Sequence, residues 1–300
     1  MKKLLGLANI LIIISLMASS QEKGLEAILQ PGAQLEKLAD GFSFVEGPTA
    51  DNDGNVYFTD QPNDRIMVWN EKSGLSLFLQ PSGRSNGLAL DKKGNLWSCA
   101  DEQNEIWRIT MNREIDVFAE GFDGKLFNGP NDLWIAPSGG IYFTDPFYLR
   151  SWWDHIERPQ EKQCVYYLKP DLKNIVLAAD DLLQPNGIAG TPDGRMLFVA
   201  DIRAGKTWKF NINADGTLGG RTLFCEMGSD GMAIDSKGNL YLTGRGVTIF
   251  DKTGRKLGNI PVPENWSSNV CFGGRDRKFL YITASKSFYR IRLKVKGTAG

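Results

Sequence analysis

Three hundred residues carry 35 lysines and arginines against 35 aspartates and glutamates, with a single histidine. That balance excludes the basic face a nucleic-acid binder needs, so no nucleic-acid partner is expected. With 42% hydrophobic and 11% aromatic residues the chain is neither disordered nor fibrous, and its 33 glycines point to a turn-rich β fold.

Lys2 and Lys3 precede an apolar stretch from Leu4 to Met17, followed by the small residues Ala18, Ser19 and Ser20. This is the pattern of a secretory signal peptide, with cleavage expected near Ser20. The apolar stretch is shorter than the roughly 20 residues a membrane helix needs. Residues 1–20 are therefore read as a leader and residues 21–300 as one domain, exported to the periplasm or secreted and free of the membrane after cleavage.

A repeat then sets the architecture. DNDGNVYFTD from Asp51, DKKGNLWSCAD from Asp91, APSGGIYFTD from Ala136, TPDGRMLFVAD from Thr191 and DSKGNLYLTG from Asp235 share a turn, a glycine and an alternating apolar run, and GRDRKFLYITA from Gly274 is a degenerate sixth copy. Further strand-like runs follow most copies, which predicts about four strands per repeat. Six such repeats predict an all-β fold, a six-bladed β-propeller. The last copy lacks a fourth strand, whereas LEKLADG from Leu35 resembles the outer strands of the other repeats, so the N-terminal strand is expected to close blade 6 and remove the open sheet edges. Cys99, Cys164, Cys225 and Cys271 are far apart, form no CxxC pair and read as free core thiols.

Eight positions before the turn glycine of each copy stand Glu46, Asn86, Asn131, Asn186 and Asp230, and Asn269 takes the same place before Arg277 in the sixth. Equivalent positions at the start of the innermost strands surround the central tunnel, so six carboxylates or carboxamides are expected at one mouth. Oxygen donors without cysteine or histidine suit a hard cation such as calcium, and two carboxylates balance its charge. Magnesium, manganese and zinc fit such a set as well. The alternative is that these residues simply accept backbone hydrogen bonds at strand-entry turns.

At EGP (Glu46), FNGPNDLWIAPSGGIYFTDP (Phe127), QPNGIAGTPDG (Gln184) and SDGMAIDSKGNLY (Ser229) the chain resembles the senescence marker protein/gluconolactonase family over roughly residues 36 to 295. That resemblance implies a six-bladed propeller with one divalent ion in the tunnel. It puts the metal ligands on Glu46, Asn131, Asn186 and Asp230, with Asp230 as the catalytic aspartate and Asn131 as ligand or substrate contact. Paraoxonases look like more distant relatives, but their histidine dyad has no counterpart beside the lone His155. A basic residue that some animal members carry two positions before the Asn131 equivalent is Gly129 here.

The implied reaction is hydrolysis of a sugar (aldono)lactone, a small-molecule substrate, to a hydroxy acid. The ion would act as Lewis acid and Asp230 would position or deprotonate water. Asn86, Asn131 and Asn269 are expected to bind the substrate. Blade 3 carries the long insertion FYLRSWWDHIERPQEKQ after its TDP turn, from which Tyr148, Trp152, Trp153, His155 and Arg158 form either a substrate lid or a surface excursion packed on the neighbouring blade. Two other functions share the pattern: a non-catalytic sugar- or peptide-binding propeller with a structural ion, and a hydrolase of another ester or phosphotriester.

Overall fold

The computed structural model describes residues 24–298, and the expected leader lies outside the described residues. Among the described residues the strands form six four-stranded antiparallel sheets and one short ribbon, Gly121–Phe122 with Lys125–Leu126. The innermost strands are Val45–Ala50, Ser85–Leu90, Leu133–Ile135, Pro185–Gly190, Met232–Ile234 and Ser267–Gly273. Each lies against the innermost strand of the next blade, and the sixth lies against the first, so the sheets close a ring. The outer strand of blade 6 comes from the front of the chain: Glu36–Asp40 pairs antiparallel with Ser287–Arg292, as the repeat register requires.

The repeated turn has a local cause. Asp51 Oδ1 accepts from the backbone N–H groups of Asp53 and Asn55, both at 2.9 Å, while Asn55 Nδ2 donates to its other oxygen at 2.6 Å. Asp91 with Asn95 and Asp235 with Asn239 repeat the arrangement. Gly54, Gly94 and Gly238 sit between them at φ of +82 to +90°, where a side chain is disfavoured. The DxxGN string is thus a hairpin turn fastened by its own aspartate.

The core sits between blades. Val45, Val56 and Phe58 of blade 1 pack on Tyr281 and Phe288 of blade 6, and Tyr142 and Val165 of blade 3 pack on Ile188, Leu197 and Val199 of blade 4. Period-two alternation delivers these side chains to both faces of each sheet, so every blade serves two interfaces. Trp69 and Trp97 are buried there, and Trp107 and Trp208 pack partly buried at the same level. All four cysteines are unpaired, three of them buried. Among the described residues no helix is long and apolar enough to cross a membrane.

Candidate active site at the tunnel mouth

Irregular pairing aims the ring residues inward. The ladder slips between Glu46 and Thr49, Ser85 and Leu88, Pro185 and Ile188, and Ser267 and Asn269, which puts a bulge at the ring position of four blades. Bulges re-aim side chains in this way. In blades 3 and 5, Asn131 and Asp230 stand two residues before a shortened strand.

Glycines make the close approach possible. Residues 47, 87, 187 and 231, each following a ring residue, are glycines. A Cβ on Gly47 would lie 2.2 Å from the Asn86 carbonyl oxygen, on Gly87 2.6 Å from that of Asn131, and on Gly187 2.4 Å from that of Asp230. Hydrogen bonds stitch the same level, including Gly87 N–H to the Asn131 carbonyl at 2.8 Å and Gly231 N–H to the Ser268 carbonyl at 2.7 Å. The two exceptions to the glycine rule are Asp132 and Val270.

Asp132 is the site residue that the sequence reading missed. It is buried on the axis, accepts from Leu133 N–H at 2.9 Å, and receives the Asn269 amide at 3.5 Å. Its signal was available: among the six positions that follow a ring residue, it alone is ionisable. Asp132 and Asn269 form the inner end of a cavity of about 690 Å³ that opens on the opposite face, among the turns at Asp51 and Asp91. Glu46, Asn86, Asn131, Asn186 and Asp230 do not line that cavity, so Glu46 and Asp230 lie beyond the end that Asp132 and Asn269 close.

The charges at the mouth are held uneasily. Glu46 is 3% exposed, and burial first, then the neighbouring Asp230, push its carboxyl well above the ordinary range. Burial raises Asp230 to about 6 and Asp132 to about 7. Hydrogen bonds oppose the rise at Asp230, first from Trp266, whose Nε1 donates to Oδ2 at 2.6 Å, then from Asn186. Asn186 Nδ2 also donates to Tyr148 Oη at 2.8 Å, which leaves its carbonyl oxygen for a ligand. Burial raises the Tyr148 phenol, so it keeps its proton.

The mouth therefore brings together Glu46, Asn186, Asp230, Asn269 and the insertion residue Tyr148. Asn86 and Asn131 are buried at the same level, with amides that neither bond to protein among the described residues nor are fully occluded. No group of three or more histidines, cysteines, aspartates or glutamates suited to a metal occurs among the described residues, so a cation here would depend on amide oxygens as well as Glu46 and Asp230.

The insertion of blade 3 divides. Trp153 stacks between Phe147 and His155, with centroids at 5.8 and 5.0 Å, and its Nε1 donates to the Asp101 carbonyl at 2.8 Å. His155 Nε2 is occluded without a partner. Arg158 is exposed and lines a separate groove with Phe147, Gln184 and Arg203, which shares no residue with the ring. Trp266 had no sequence pattern pointing to it beyond its place in the loop entering blade 6.

Residues 44–286 match the family described as the SMP-30/Gluconolactonase/LRE-like region. A gluconolactonase of Zymomonas mobilis subsp. mobilis is 32% identical over 304 aligned positions, covering 91% of this chain and 85% of that protein. The lactonase drp35 of Staphylococcus saprophyticus is 32% identical over 239, covering 73% and 70%. A gluconolactonase structure from Xanthomonas campestris superposes with a TM-score of 0.83 at 30% identity, covering 90% of this chain and 92% of that one. With the ring, its register and the fold in agreement over nearly the whole described chain, the protein belongs to the SMP-30/gluconolactonase family.

Proposed function

We propose that this protein hydrolyses sugar lactones with the help of one divalent cation, calcium, held by Glu46, Asn131, Asn186 and Asp230. One observation carries the reading: two carboxylates, the buried Glu46 and the half-buried Asp230, repel each other at the tunnel mouth among carboxamides. A hard dication fits that donor set, because it offsets both charges and accepts neutral amide oxygens. When bound, it supplies Lewis acidity toward a lactone carbonyl.

The chain's own residues supply the rest. Asp230 is anchored through Oδ2 on Trp266 and steadied by Asn186, and its remaining lone pairs hold water and take its proton. The water oxygen bonds to the carbonyl carbon and the ring carbon–oxygen bond breaks. The proton returns to the ring oxygen, which leaves as a hydroxyl, and the product is a hydroxy acid. The open amides of Asn86 and Asn131 suit substrate hydroxyls, whereas Asn269 is turned toward Asp132. The relatives named above are gluconolactonases and a lactonase, which supports the substrate class. The leader expected over residues 1–20 supports export.

The test is acid release from glucono-1,5-lactone by the purified mature chain, corrected for spontaneous opening, with chelator and with calcium or zinc restored. Cation-dependent turnover that disappears in Asp230→Ala with an unchanged circular dichroism spectrum is the expected result. Absence of turnover on several aldonolactones, with tight cation binding, would reject it.

A further inference from the structure

Three blades use the aspartate that ends their second strand in one way. Asp60 accepts from Ser43 and Phe44 N–H at 3.0 and 3.2 Å, Asp145 from Asn128 and Gly129 N–H, both at 2.9 Å, and Asp201 from Leu183 and Gln184 N–H at 2.9 and 3.0 Å. Each thereby fixes the loop that leads into its own blade's ring residue. Blade 2 departs from this. There the N–H groups of Ser82 and Arg84 go to Asp64 Oδ1, at 2.9 and 2.7 Å, from the neighbouring blade. Asp101, the counterpart of the other three, is released from that work.

Asp101 is 1% exposed and receives Nε of Arg150, from the blade 3 insertion, at 3.1 Å. The guanidinium lies 5.5 Å from the ring centre of Tyr148 and 5.4 Å from that of Trp152. Tyr148 in turn bonds Asn186 of the ring. The insertion is also tied to Asp101 through Trp153, and this packing fills the space beside Gly129. A Cβ there would meet the Trp153 ring at 2.9 Å and Asp101 Oδ1 at 3.0 Å, at a φ of +146° that favours glycine. No side chain reaches the mouth from position 129. Arg150 stands next to that space with its side chain 19% exposed, and its terminal nitrogens bond no group among the described residues.

We propose that Arg150 is a specificity-determining residue of this site: with Nε fixed on Asp101, its two terminal nitrogens donate to hydroxyl groups of a polyhydroxylated lactone. This rests on the lactone reading above. Asp101 balances the guanidinium charge, and a dication would balance Glu46 and Asp230, so neither group leaves a net charge facing a neutral polyol. A planar fork held at its base donates in a fixed plane, which a lysine ammonium cannot reproduce. A site built to bond hydroxyls discriminates against a ring that lacks them.

The experiment compares the mature full chain with Arg150→Met and Arg150→Lys, on glucono-1,5-lactone and on unsubstituted δ-valerolactone, and adds calorimetric binding of gluconate with calcium present. Arg150→Met is expected to raise KM for gluconolactone about tenfold or more with kcat nearly held, leave δ-valerolactone unaffected, and weaken gluconate binding by a similar factor; Arg150→Lys recovers part. Because Arg150→Met strands a buried carboxylate, the double variant Asp101→Asn/Arg150→Met is measured alongside and is expected to show the same split. Equal losses on both lactones, an unchanged KM for gluconolactone, or no gluconate binding by the unaltered chain would overturn the assignment. If the unaltered chain opens neither lactone, the hydrolase reading fails on its own, while gluconate binding that weakens with Arg150→Met still supports Arg150 as a polyol contact.

Discussion

The indole N–H of Trp266 donates to Asp230 Oδ2 at 2.6 Å, across the junction between blades 5 and 6. It holds one oxygen of the proposed catalytic carboxylate still and directs the other toward substrate. Trp266→Phe keeps most of the ring and removes the donor. A hydrogen bond to a charged group is worth roughly 1.5 to 3 kcal/mol, so kcat/KM is expected to fall about 10- to 100-fold, carried by kcat. Steady-state kinetics with saturating calcium check this. A fall in affinity for the cation with kcat unchanged would assign Trp266 to metal retention instead.

Cation binding should be visible without any substrate. A ligand at about 100 times its Kd stabilises by about 2.7 kcal/mol, which for a domain of this size raises Tm by roughly 5 °C. Chelator should remove that increment and calcium should restore it. Glu46→Gln is expected to have two opposite effects, because it ends the repulsion with Asp230 while deleting a ligand: the chelated protein melts higher than its parent, and the increment on adding calcium shrinks. Differential scanning fluorimetry reads both.

Burial raises Asp101 from its ordinary 3.8 to about 6, with Arg150 the chief opposing influence. The folded chain therefore holds this proton more tightly than the unfolded one. Its contribution to stability is greatest below pH 4, falls as pH rises through 6, and is level above, a change of roughly 3 kcal/mol. Urea unfolding of the parent and of Asp101→Asn at pH 4 and at pH 7 isolates it. The difference between the two proteins should move by that order across the window, and a constant difference would contradict the assignment.

Glycines of similar conformation should differ sharply in what they tolerate. Gly47→Ala places a methyl 2.2 Å from the Asn86 carbonyl at a φ of +45°, and nothing in a backbone contact can give way cheaply. A loss of more than about 3 kcal/mol is expected. Gly54→Ala, at φ +90° with nothing within 4 Å, incurs only the left-handed penalty of roughly 1 to 2 kcal/mol. Chemical denaturation of the two variants compares them directly.

The six blades, their register and the closing strand were legible because the hairpin turn and the alternating run after it are local features that recur at a fixed offset from the ring residues. Glu46, Asn186 and Asp230 were legible for the same reason, and position alone brought them to one mouth. Asp132 was not, because it breaks the repeat instead of following it. The exchange that lets Asp64 fasten the blade 2 loop and frees Asp101 joins residues of two blades, and no periodicity records it. Nor does any spacing distinguish Arg150, which meets the mouth, from Arg158 eight residues on, which lines a separate groove.

The strand Glu36–Asp40 fixes when the ring can be completed. Arg290, bonded to Glu36 at 2.9 Å and to Glu71 at 3.2 Å, joins this strand to its partner across 254 residues of chain. Until Ser287–Arg292 has emerged from the ribosome, the first strand has no neighbour and blade 1 has none on one side. Folding of this architecture therefore finishes with a pairing of strands from far apart in the chain, the slow kind of step for a β topology. That order keeps the ring open until the strands of blade 6 have been made.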